Sequence, residues 1–362
     1  IWPDGYYLTA NRFDGPTMTT FYGPAVIAFN RQQMLNGQAA SYQEVDLGTN
    51  YGTILPADMD GLTQPPAASP AFFVEKSYDG FGTPILHVFK YRVDWATPAN
   101  STFTGPTTLS IPALAAPCNA ATSCVDQPGT TMKLDVLLDR PMYRLSYRNY
   151  YDHEALLVVL NGGVTAASSQ AAFQWIELRN PNTTLTVYQS GVYAPDASVS
   201  RWMPSIAQDR AGNIAVAYSA SNGSTVYPGL RYAGRLSTDT LNQLPQAETT
   251  LVAGAGSQTY SSRWGDYQMM TLDPTDDCTF WFTGEYYKTT TSPGIPPGYG
   301  VNWMTRVGAF QFPGCTSAAA SSEPQQPAAA PGNQKIILSW SAPSANNGSP
   351  ISSYRISRGI AG

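Results

Sequence analysis

Charge is scarce in this chain: Asp, Glu, Lys and Arg together make up 12% of its 362 residues, about half the usual share in globular proteins. Lysine is rarest, five against 15 arginines, so the cations are placed for directional hydrogen bonding more than for solubility. A net charge of -5 and a pI near 5.0 exclude nucleic acid as a partner, because phosphate backbones demand a basic stripe. Two histidines, His87 and His153, are too few for a multi-histidine metal site. His87 lies in an alternating strand and reads as structural; His153 reads as a turn residue and is the sole plausible histidine base. No apolar run nears the ~18 residues that cross a bilayer, the longest spanning residues 155–160, so no membrane span is expected. Helical periodicity is missing as well.

What remains is rich in turn formers and aromatics, with 31 Gly, 29 Pro and 22 Tyr. That composition predicts an all-β chain with a polar, weakly charged surface. The four cysteines fall into two pairs, Cys118 with Cys124 inside one Pro- and Ala-rich loop and Cys278 with Cys315 across the last repeat. An even count without CxxC or interleaved histidine points to disulfides over zinc, and disulfides point to a secreted or cell-surface location.

The sequence Arg263-Trp264-Gly265-Asp266-Tyr267 leads into Asp273-Pro274 and the strand Phe280-Trp281-Phe282. An earlier segment, opened by Arg201-Trp202, repeats that plan. A shift of 64 positions places Asp209 on Asp273 and Val216-Ala217-Tyr218 on Phe280-Trp281-Phe282. Each copy reads as a β-hairpin closed by an Asp-led turn. Units of this kind recur near residues 1–30, 53–95, 132–178, 184–236 and 250–312, with 98–128 as a loop-rich interruption. Hairpins that cannot bury their own faces stack around an axis, so the reading is a β-propeller over residues 1–315. Five blades are visible. They are expected to belong to a six- to eight-bladed ring with further domains missing at both ends; the alternative is that five close alone.

Residues 316–334 turn to Ala, Ser, Pro and Gln, the composition of an extended linker. From 335 to 362 a strand carrying Trp340, an Asn-Gly loop and the pattern Ile351-x-x-Tyr354-x-Ile356 resemble the first half of a fibronectin type III sandwich. The paired units, and Arg263 to Tyr267 leading into Asp273-Pro274, resemble blades of the sialidase-like propellers of secreted bacterial proteins. The match has departures: the sialidase Asp-box reads Ser-x-Asp-x-Gly-x-Thr-Trp, whereas two residues separate Asp209 from Gly212 here. The Phe/Tyr-Arg-Ile-Pro motif of the sialidase carboxylate clamp is absent. Sialidase activity is therefore not carried over.

Arg144, Arg148, Arg201 and Arg263 each stand beside an aromatic near the start of an inner strand. They are expected to meet in the propeller funnel and, with Trp202, Trp264 and Tyr267, to bind a carboxylate, sulfate or sugar ring. The competing reading has them paired to carboxylates that lock neighbouring blades. Asp266 with Glu285, or Asp266 with Asp4, are the candidate acid and base for glycoside cleavage. Asp58-Met59-Asp60-Gly61 resembles the start of a calcium loop, lacking its third acidic ligand and distal Glu; no cofactor is expected beyond that structural calcium. The first functional reading is recognition of an extracellular glycan or other cell-surface component without catalysis. The second is a glycan-cleaving enzyme.

Overall fold

A computed structural model describes residues 1–15, 17–80, 83–165, 170–290, 303–315, 323–333, 335–344, 354 and 356. Nearly all regular structure is β. Among the described residues the one α-helix is the single turn α1 (Arg31–Leu35), capped by the Asn30 side chain accepting from the Gln33 N–H.

Five antiparallel meanders follow one another. The first is β1 (Gly5–Phe13), β2 (Phe21–Asn30) and β3 (Tyr42–Asp46); the second is β4 (Ile54–Met59), β5 (Ala71–Tyr78), β6 (Pro84–Arg92) and β7 (Thr102–Ser110). After the short pair β8 (Ser123–Val125) and β9 (Leu134–Asp135) comes the third, β10 (Leu145–Asn149), β11 (Glu154–Gly163), β12 (Ala171–Arg179) and β13 (Thr186–Tyr193). The fourth is β14 (Ser200–Gln208), β15 (Ile214–Ser221), β16 (Gly229–Arg235) and β17 (Gln246–Val252); the fifth is β18 (Met269–Leu272), β19 (Phe280–Tyr287) and β20 (Trp303–Phe310). Two sequence boundaries need correction. Thr186–Tyr193 closes the third meander instead of opening the fourth, and Thr102–Ser110 is a paired strand inside the stretch read as loop. In both, polar and aromatic residues alternate on an outer strand with one solvated face, which mimics loop composition.

The first strand of each meander touches the first strand of the next: β1 meets β4, β10 meets β14, β14 meets β18. β4 and β10 pair directly in parallel, with Leu145 opposite Ala57 and Tyr147 opposite Met59. Hydrophobic cores lie between consecutive meanders, and single strands feed two of them. On β11, Leu156, Val158 and Leu160 enter one core while Leu157 and Val159 enter the next. β15 does the same with Ile214, Val216 and Tyr218 on one face and Ala215 and Ala217 on the other. The alternation of side chains along a strand buries both faces, which is why these strands read as unbroken apolar runs. Sequential sheets stacked face to face with their leading strands innermost have the order of a β-propeller.

The repeated hairpin is present. Asp209 Oδ1 accepts the N–H groups of Ala211 and Asn213, and Asp273 Oδ1 accepts that of Thr275. The register differs from the sequence alignment: Gln208 pairs with Ile214, whereas Leu272 pairs with Phe280, so the later turn is two residues longer. Ile214, not Val216, is therefore the counterpart of Phe280.

Cys278 and Cys315 form a disulfide that closes the fifth meander. Cys124 is disulfide-bonded too, while the Cys118 side chain lies outside the described residues. Replacing Cys278 and Cys315 by Ser is expected to cost about 2–4 kcal/mol through loss of loop closure. An unchanged urea midpoint would show that the fifth meander is held by packing alone.

Within the stretch read as linker, β21 (Gln325–Gly332) pairs with β22 (Lys335–Ser341). Of the fibronectin-like pattern that follows, Ile351 lies outside the described residues; the Tyr354 ring sits 5.3 Å from Trp340.

Candidate functional site

The segment ahead of β18 is pinned at one residue and open at the next. Trp264 is buried between Trp202 and Tyr287, at ring distances of 6.0 and 5.8 Å, and its indole N–H donates to the Ser219 hydroxyl. Gln258 holds the approach, donating to the carbonyls of Ser261 and Arg263. Gly265 then turns the chain at φ +52°, where a side chain would strike Gln268. Tyr267 is thereby thrown outward, 81% exposed, while the Asp266 side chain stays largely buried.

That loop, β19 and β20 enclose a cleft of about 440 Å³ lined by Arg263, Asp266, Tyr267, Glu285 and Trp303 among others. A second cleft of similar volume shares Asp266 and Tyr267 and runs to Arg140, Tyr143 and residues 9–11 of β1. The first lies at the start of β18, the second at the starts of β4 and β10 beside the middle of β1.

The two carboxyls of the first cleft are perturbed together. Burial pushes Glu285 up to about 7; the nearby charge of Asp266 adds to this, and the Gly265 N–H, donating to Oε1 at 2.8 Å, opposes it. Asp266 is also raised, by burial first and by Asp135, while Arg263 and Arg140 favour its charged form. Arg263 bonds Asp266 directly and reaches Asp135 at 3.3 Å. The cleft therefore holds one carboxyl that keeps its proton to neutral pH and one attended by two guanidinium groups. That separation of environments is how proteins divide acid and base roles between like residues.

The structure brings together Arg263, Trp264, Asp266, Tyr267 and Glu285 of the sequence-derived set and leaves the others elsewhere. Asp4 lines neither cleft; its carboxylate accepts from the Tyr7 hydroxyl at 3.1 Å and its carbonyl from the Trp95 indole. Burial raises Asp4, against that hydrogen bond. Arg144 is 1% exposed, with Nε on Asp58 at 2.8 Å and Nη2 on Asp60 at 2.6 Å. Arg148 bonds Asp277 and the Gln208 carbonyl. Arg201 forks onto Glu248 and also bonds Asp196. Trp202 is fully buried. A buried guanidinium needs a carboxylate close by, so these arginines bind the chain to itself. The calcium reading of Asp58 and Asp60 fails on the same contact: Arg144 compensates their charge, and Ser146 donates to Asp60 at 2.5 Å.

Asp135, Arg140 and Trp303 were not anticipated. Asp135 and Arg140 lie in the interruption between the second and third meanders and approach only through folding. Trp303 had a local signal, an aromatic at the start of a strand whose first residues are exposed.

No protein-family model and no curated protein matches the chain. Among solved structures it is similar to a protein of unknown function from Dyadobacter fermentans, at 10% identity and TM-score 0.31 over 93% of this chain and 83% of that one. It is similar to the GH93 α-L-arabinofuranosidase of Fusarium graminearum at 11% identity and TM-score 0.35, over 85% and 93%. A levansucrase of B. megaterium gives 10% and 0.35, over 87% and 84%. At such values none of them assigns a function to this chain.

Proposed function

We propose that the cleft between Asp266 and Glu285 cleaves a glycosidic bond. The observation that carries this is the carboxyl of Glu285, held protonated to about pH 7 beside a second carboxylate in an open, aromatic-edged cleft. Glu285 gives its proton to the glycosidic oxygen as the bond from the anomeric carbon breaks. Water forms the new bond to that carbon and surrenders its proton to Asp266. Arg263 and Arg140 favour the charged form of Asp266 against its burial. The test is release of reducing ends from a panel of neutral and acidic glycans, with Asp266→Asn and Glu285→Gln as controls. Turnover lost in both supports the reading; turnover surviving in both refutes it.

A second reading, recognition without cleavage, is favoured by the exposure of Tyr267 and Trp303, which offers ring faces to a sugar. Under either reading Tyr267→Ala is expected to weaken glycan affinity about tenfold with an unchanged melting temperature. A variant that binds normally excludes this cleft as the glycan site. Five blades in one ring is the blade number this reading adopts, from the five consecutive meanders. An extracellular location accords with the disulfides, and a fibronectin-like spacer with the packing of Trp340 on Tyr354.

A further inference from the structure

The second cleft takes no part in the cleavage step, yet it shares a wall with the first. Asp266 and Tyr267 line both, and the two have similar volumes of about 440 Å³. Each is of a size to take one small ligand. A pair of them on either side of one exposed ring has room for a longer one.

The walls of the second cleft come from separate parts of the chain. Thr9 and Asn11 stand two apart on β1, so their side chains share one face of the strand, and that face is turned to the second meander. Thr9 Oγ1 donates to the Ile54 carbonyl at 2.7 Å, and Asn11 Nδ2 donates to Thr53 Oγ1 at 2.8 Å. An amide held in this way keeps a carbonyl acceptor and a second N–H for a ligand hydroxyl. Half-buried Tyr143 adds a ring and a phenolic hydroxyl from the segment ahead of β10. Ring faces with a few fixed polar groups are what a sugar unit requires.

Charge narrows the class of glycan. Among the described residues lining the two clefts, the cations are Arg263 in the first and Arg140 in the second. Both are matched by carboxylates of the chain. Arg140 forks onto Asp139 at 3.0 and 2.8 Å, and Arg263 bonds Asp266 and reaches Asp135 at 3.3 Å. A uronate or sulfated unit would compete for guanidinium groups already engaged and would approach Asp266, a like charge. A neutral unit meets neither cost.

We propose, resting on the glycan reading of the first cleft, that the second cleft is a subsite for further units of the same chain, and that this chain is a neutral oligo- or polysaccharide crossing Tyr267. Asn11 and Tyr143 hold the units beyond that ring.

The test is calorimetric titration at pH 7 of the intact chain carrying Glu285→Gln, which prevents turnover during the measurement. The probes are β-1,4-linked xylose, mannose and glucose oligosaccharides of two and five units, and a galacturonate pentamer. In at least one neutral series the five-unit chain is expected to bind about tenfold or more tightly than the two-unit chain, and by a similar factor more tightly than the galacturonate pentamer. Adding Tyr143→Ala is expected to bring the ratio between five and two units to within about threefold. Asn11→Ala gives the same readout if that variant does not fold. A merely structural loss weakens both lengths alike and keeps their ratio. Equal affinity for the two lengths, a ratio untouched in the folded variants, or no binding of any neutral series would overturn the subsite; tighter binding of the galacturonate pentamer would overturn the neutral class. The cleavage reading fails separately: a parent chain that shows this length dependence and releases no reducing ends from the bound series refutes cleavage and keeps the subsite.

Discussion

Glu285→Gln is expected to lower glycoside turnover about 10²- to 10⁴-fold, the contribution of a positioned general acid, while leaving the cleft intact. The substitution keeps an acceptor for the Gly265 N–H and removes only the titrating proton. It also separates catalysis from stability. A carboxyl raised from 4.5 to about 7 holds a proton in the folded chain that the unfolded chain has released, so native stability falls as pH rises through that interval. The glutamine variant has no such loss. Its stability relative to the parent is expected to grow from pH 4.5 to 7 and then level off, at up to about 3 kcal/mol. Parallel stability curves across that range would show that Glu285 titrates as an ordinary glutamate and would remove the basis for its acid role. A glutamine variant with full turnover would place the proton donor elsewhere.

The second large effect concerns folding. Arg144→Met is expected to cost about 3–5 kcal/mol, because it strands two carboxylates that share one guanidinium. Asp60 is buried, and Asp58 is held below the ordinary carboxylate range: burial opposes its charge, and Arg144 is foremost among the contacts that together outweigh the burial. Arg144 also donates to the Met270 carbonyl at 3.4 Å, so it bridges the second, third and fifth meanders at the centre. Adding Asp60→Asn to Arg144→Met is expected to recover part of the loss, giving a coupling energy in a double-mutant cycle on urea midpoints. Additive losses would show that the two residues act separately. A stability unchanged by Arg144→Met would mean that the cluster contributes nothing net. The same experiment bears on function, since an arginine spent in this way has no hydrogen bonds left for a ligand.

Legibility in the sequence followed the range of the interactions. The hairpins could be read because strand alternation and turn chemistry are encoded within about ten residues. Their register across the Asp273 turn could not, since a two-residue lengthening leaves the local pattern intact and shows only in the pairing of Leu272 with Phe280. Arg263, Asp266 and Tyr267 were found together because one loop presents them all. Arg144, Arg148 and Arg201 carry the same local mark, a neighbouring aromatic, and were grouped with Arg263 on that basis; their carboxylate partners decided otherwise.

The sequence by itself determined an all-β chain of repeated hairpins, the Cys278–Cys315 link and the loop that carries Asp266. Tertiary structure alone decided which arginines are consumed and that Asp135 and Arg140 flank Asp266. The physical reason is that a charge's role depends on what lies within a few ångströms. Here Asp60, Glu248 and Asp277, the partners of Arg144, Arg201 and Arg148, stand 84, 47 and 129 residues away in the chain and are brought near by folding.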